Sequence, residues 1–174
     1  MANSDGNLWK GAVAGLAAGL AATWVMTQFE TLSQKAIQKL ESGKEGNGKE
    51  EKGQQEDEDA TVKTAEAISR HLFHHELSPK EKKVAGPAVH YSFGTLTGGV
   101  YGALAELQPA VTRGVGAPFG AALWLGADEV AVPAFHLSEP PLEHPPSVHA
   151  KALAAHLVYG LTTETVRRMV RQVL

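Results

Sequence analysis

Asp128 and Glu129 stand side by side in LWLGADEVAVPAF, residues 123–135, a run otherwise apolar enough for the middle of a buried helix. Carboxylates in such company need partners, because a charge in hydrocarbon costs on the order of 3 kcal/mol even on insertion-based scales. Histidine is the natural one: an imidazole donates to a carboxylate, and such a pair changes charge near physiological pH. Helical rise brings three imidazoles to the same depth as the two acids. At about 1.5 Å per residue, Asp128 and Glu129 lie roughly 22 to 24 Å along their run from Arg113. His90 lies one turn inside the same end of another run, while His149 opens a further one and His156 follows it two turns deeper on the same side. The chemistry expected of His90, Asp128, Glu129, His149 and His156 is a proton-responsive or cation-binding polar pocket. A plainer reading has one carboxylate bridging helices and the other among headgroups. Neighbours on an α-helix point about 100° apart, so the two are not expected to face inward together, and the sequence leaves open which one does.

The elements that must hold these groups are four apolar runs. Residues 11–27 and 84–105 are the clearest, the second with His90 as its one ionisable residue; residues 114–135 are interrupted by the two acids, and a fourth run from His149 to Val166 by His156 and Glu164. Each reaches or approaches the length that crosses a hydrocarbon core of about 30 Å. Glycine and alanine dominate them. Gly11, Gly15 and Gly19 form two G-x-x-x-G steps, and Gly94, Gly98 and Gly102 form two more. Such glycines cost roughly 1 kcal/mol each in an aqueous helix, whereas in lipid they let two backbones approach closely. The expected fold is all-α, a four-helix transmembrane bundle with helices near 8–38, 79–107, 113–135 and 148–172. Lys10-Gly11 against Arg113-Gly114, and HYSFG (90–94) against HLVYG (156–160), raise the option of two repeated helix pairs. Ser78, Pro79 and Glu81 spell a capping box opening the second helix, and Pro87 is placed to kink it.

Polarity is concentrated between the first two helices, which is why a mean hydropathy of -0.16 hides the apolar runs. Residues 41–60 read as a solvated, disordered charged loop, and 61–77 as an amphipathic helix whose Val62, Ala65, Ile68, Leu72 and Phe73 follow helical spacing. His71 and His75 within it could hold a metal, but no third ligand is in view. A net charge of -3 favours neither nucleic acid nor acidic substrates, and with no cysteine there is no disulfide or thiolate site. Four spans put both termini on one face, with Lys10, Arg113, Arg167, Arg168 and Arg171. That favours cytoplasmic termini, while Lys80, Lys82 and Lys83 oppose it. At the terminal face Glu106 and Glu164 are expected to pair with Arg113 and Arg167 or Arg168, Glu164 with Arg168 as a routine helix-surface pair. The first run reads as a retained helix rather than a signal peptide. The stiff turn EPPLEHPP would hold Glu139, Glu143 and His144 above the pocket as a rigid rim, though a plain short connector accounts for it more simply.

KGAVAGLAAG, VHYSFGTLTGGVYG, and above all LWLGADEVAVPAF running into LSEPPLEHPPSVHAKALAAHLVYGLTTETVRR, resemble the YagU-like family of uncharacterised bacterial inner-membrane proteins. The resemblance implies a multi-pass protein of that membrane, brings no catalytic assignment, and on matching positions draws attention to Asp128, Glu129, Pro133, His149, His156 and Gly160. No nucleotide-binding, nucleophile-elbow or zinc-protease motif is present, so no enzymatic activity and no cofactor is expected; a haem between His90 and His156 is conceivable, but polar packing accounts for them more simply. The expected partners are the lipid bilayer and further copies of the chain or a larger membrane assembly. The competing expectation is a non-catalytic scaffold or accessory subunit.

Overall fold

The computed structural model describes residues 5–41, 52–138 and 140–174, and every regular element among them is helical. Helix α1 spans Asp5–Glu41, α2 Lys52–Ile68, and α3 Pro79–Leu107. Helix α4, Ala117–Trp124, passes into a π-helical stretch, Leu125–Ala131, and a single closing turn, α5, Val132–Ala134; α6 spans Pro146–Val173. One helix, over Asn7–Lys39, is long and apolar enough to cross a membrane by length and composition.

The glycine steps are where α1 and α3 meet. The helices run antiparallel, with Gly11 against Gly102, Gly15 against Gly98 and Gly19 against Gly94. At Gly15 a Cβ would fall on the Gly98 carbonyl and 2.9 Å from the Gly102 Cα. A backbone cannot retreat as a side-chain tip can, so only glycine permits this approach. A second seam of the same kind joins α4 to α6, where Gly116 and Gly120 lie on the backbone of His156 and Gly160. The molecule is thus two glycine-sealed helix pairs, with α1 also packed along α6. Helices α3 and α6 run parallel, cross-linked at matching depth by Thr97 with Tyr159 and Tyr101 with Glu164.

What is buried is small. Among the described residues the buried apolar ones are Ala14, Ala18, Ala22, Met26, Ala60, Ala65, Tyr101, Ala105, Ala155 and Tyr159, with no Leu, Ile, Val or Phe in that set. The large apolar side chains point outward instead: Trp9, Val13, Leu16, Leu20 and Trp24 along one face of α1, and Phe93, Leu96, Val100, Leu104 and Leu107 along one face of α3. Soluble domains bury these types first.

Helix α3 starts as its sequence dictates. Ser78 Oγ accepts from the Glu81 N–H at 3.4 Å, the Glu81 carboxylate accepts from the Ser78 N–H at 2.7 Å, and Pro79 opens the first turn. The side-chain hydrogen bond with Ser78, then its backbone N–H, hold the Glu81 carboxyl down at about 2. Helix α2 begins inside the segment read as a solvated loop, of which residues 42–51 lie outside the described residues. It packs on the start of α3 with Val62 over Gly86 and ends in a π-turn, Ser69–Phe73, short of residue 77. His75 bonds Glu81 at 3.3 Å, and no metal-holding group of three ligands occurs among the described residues.

Candidate functional site

Pro133 explains the π-helical stretch that carries the two acids. In a continuing α-helix its missing N–H would leave the Glu129 carbonyl without a donor, and its ring would press on that carbonyl. Widening the preceding turns relieves the clash, and Leu125–Ala131 is wound this way. A wider turn rotates successive side chains by less than the α-helical step, and here that matters: both acids reach α6. Glu129 Oε1 lies 2.6 Å from His149 Nδ1, and Asp128 Oδ2 lies 3.4 Å from His156 Nδ1. The expectation that adjacent carboxylates cannot both face inward assumed α-helical winding, and the π-turn removes that assumption.

His149 is held between two acceptors. Its Nε2 donates to the Pro141 carbonyl at 2.9 Å, so the proton on that nitrogen is fixed. Its Nδ1 and Glu129 Oε1 therefore share one proton, carried either by the ring as an imidazolium or by the carboxyl group as an acid. His144 stands 6.2 Å away, ring to ring. Glu129→Gln replaces the carboxylate in that 2.6 Å contact with His149 and is expected to lower stability by about 1.5 kcal/mol. Thermal unfolding in detergent checks it, and a variant that melts with the parent would contradict the pairing.

Deeper in, His156 Nδ1 also donates to the Ala152 carbonyl at 3.0 Å, and His90 of α3 lies within electrostatic reach of His156. All five expected residues therefore occupy one end of the bundle, joined as Glu129 with His149 and Asp128 with His156, with His90 alongside. Glu143 sits on the rim, exposed, while Glu139 lies outside the described residues.

The opposite end holds a second polar network, in which Glu164 pairs with both arginines that spacing offers but is buried. Glu164 is fully buried and accepts from Arg167 Nε at 2.7 Å and a second Arg167 nitrogen at 2.9 Å, from Arg168 at 2.5 Å, and from the Tyr101 hydroxyl at 3.0 Å. It is a core ion cluster, not the surface pair expected of residues four apart. Glu106 pairs with Arg171 at 2.7 Å rather than with Arg113, which is exposed. Tyr101 stacks on Phe119 at 4.3 Å, and Tyr159 donates to the Gly94 carbonyl at 2.6 Å. Together they form a packed layer between the two polar ends. Lys10 reaches the Leu174 backbone oxygen at 2.6 Å, so the beginning of α1 and the end of α6 meet on this face.

Residues 64–165, more than half of the 174, match a family model described as a protein of unknown function, DUF1440. The matched region holds all five residues of the histidine–carboxylate cluster and leaves out α1. No curated protein and no solved structure matches the chain.

Proposed function

The chain belongs to the DUF1440 family, whose function is not known, and from that premise and its geometry we propose that it is a multi-pass membrane protein whose histidine–carboxylate pairs respond to protonation. The observation that carries the membrane part is the inverted packing: alanine and glycine inside, Trp9, Leu16, Leu20, Trp24, Leu96 and Val100 outside. An apolar solvent makes that arrangement favourable, since lipid solvates large side chains and rewards close backbone packing. α1, α3, the α4–α5 unit and α6 are the four spans. The resemblance to YagU-like proteins supports a bacterial inner membrane, and Lys10, Arg113, Arg167, Arg168 and Arg171 support cytoplasmic termini.

The cluster binds protons rather than a metal, because each acid is already engaged by an imidazole. A scaffold role fits less well, because the glycine faces that would receive a partner are consumed within the chain. Four helices enclose little space, so passage of a solute would take further copies.

The test has two arms. The chain is expected to stay with the membrane pellet after an alkaline wash, and release into the supernatant would sink the membrane reading. In proteoliposomes, Trp124, one turn before Asp128, is expected to report a pH-dependent fluorescence change that disappears in Asp128→Asn/Glu129→Gln. An identical titration in that variant would remove the protonation reading.

A further inference from the structure

Helix α2 sits on the outer side of the bundle. Gly86, where Val62 packs, shares its helical face with Phe93, Val100 and Leu104, all of them exposed. From Gly86 to Leu107 is about 31 Å of helix, close to the thickness of a hydrocarbon core. The seam register sets Trp24 level with residue 89 of α3, and tryptophans favour the boundary between core and headgroups. Lys82 lies one turn outside Gly86, so the junction of α2 and α3 stands at headgroup depth.

A cavity of about 240 Å³ opens there, lined by Glu66, Arg70, Glu76, Leu77 and Lys82. That is smaller than the range typical of drug-sized ligands. Glu66 and Lys82 form an ion pair with each other. Among the described residues neither Arg70 nor Glu76 has an ion pair, so Arg70 adds a cation and Glu76 an anion to the lining beside the Glu66–Lys82 pair. Beside it, Leu72 and Phe73 are over 70% exposed, and Ile68 and Val84 are exposed with them. An apolar rim at this depth accommodates the start of acyl chains.

We propose that this cavity holds the phosphoethanolamine headgroup of a membrane phospholipid, with Arg70 on the phosphate, Glu76 on the primary ammonium, and Leu72 and Phe73 against the glycerol and upper acyl chains. An arginine suits the phosphate because its fork matches two oxygens at once. A primary ammonium donates hydrogen bonds to a carboxylate, whereas the quaternary ammonium of phosphocholine has none to donate, so the site distinguishes two lipids of equal net charge. The proposal rests on the membrane reading given above and on none of the protonation chemistry.

The experiment uses the full chain in detergent with equimolar phosphatidylethanolamine and phosphatidylcholine, counting bound lipids by native mass spectrometry. The expected result is about a tenfold preference for phosphatidylethanolamine, the scale of one charge-assisted hydrogen bond. Glu76→Gln should erase the preference while leaving phosphatidylcholine binding unchanged, and Arg70→Gln should weaken both lipids alike. Free phosphoethanolamine, lacking acyl chains, should fail to displace the lipid at equal concentration; displacement would point to a soluble ligand and overturn the proposal. Equal binding of the two lipids by a chain that survives the alkaline wash overturns this inference alone, whereas a chain released by that wash overturns the membrane reading with it.

Discussion

Gly98→Leu is expected to prevent the chain from folding, at a cost of more than about 4 kcal/mol, the range of the most damaging single substitutions. A Cβ at this position would lie 2.5 Å from the Gly19 Cα, 2.6 Å from the Gly15 carbonyl oxygen and 2.9 Å from the Gly19 nitrogen. All three are backbone atoms, so the two helices would have to part along the whole seam, and with them the packing of α1 on α6. Gly126→Ala is the matched control. It lies on the π-helical stretch with nothing within 4 Å of the added carbon, so it should change stability by less than about 1 kcal/mol. Size-exclusion profiles and thermal melts in detergent distinguish the two. A Gly98→Leu protein that runs and melts like the parent would mean that α1 and α3 do not meet at these glycines.

Removing the acid from the buried ion cluster is expected to have the next largest effect. In Glu164→Gln, Arg167 keeps a side chain only 9% exposed and loses its counter-ion, a situation that costs about 3–5 kcal/mol. Tyr101→Phe deletes one hydrogen bond to the carboxylate but keeps the stacking on Phe119, and should cost about 2 kcal/mol. Removing both charges, as in Glu164→Gln/Arg167→Met, should recover most of the loss, because an apolar replacement leaves nothing buried and uncompensated. The double-mutant cycle measured by thermal unfolding reads the coupling directly. Additive losses would show that the two residues do not interact as described.

The first helix pair was legible because glycine spacing and close approach are one physical fact seen twice. Gly11, Gly15 and Gly19 can serve no side-chain purpose, and their four-residue period names the face that must meet a partner. The second pair carried the same signal in Gly116, Gly120 and Gly160, but Gly114 drew the eye to an apparent repeat opening. In the structure Gly114 is a turn residue, with φ of 72°. Both helix pairs close on glycines, but the contacts do not follow the register suggested by HYSFG and HLVYG. The carbonyl met by Gly19 belongs to Gly94, and the one met by Gly120 belongs to His156 rather than Gly160.

The histidine–carboxylate cluster was legible in depth but not in direction. Helical rise is nearly invariant, so counting residues placed the five groups at one end. Angular position depends on winding, which changes where Pro133 forces a wider turn. Proline four residues after Glu129 was the available signal. The pairing of Glu164 with Arg168 is legible in spacing but its burial is not: four-residue spacing describes one helix, while burial is decided by Tyr101 and Phe119 on two others. Of α2, hydrophobic spacing gave the packing of Val62 and Ala65, but a charged run such as EEKGQQEDEDA does not disclose its helical state from composition.

The claim on which the rest depends is that lipid is the medium facing α1 and α3. Two single-tryptophan chains, one retaining Trp9 and one retaining Trp24 with the remaining tryptophans replaced by phenylalanine, can be reconstituted into vesicles whose acyl chains carry bromine at defined depths. Both residues are more than half exposed and about 22 Å apart along α1. Each is expected to be quenched most strongly by bromines near the headgroups and less by those at the bilayer centre, from opposite leaflets. Fluorescence from both that is indifferent to bromine at every depth would contradict a spanning α1 and return the chain to water.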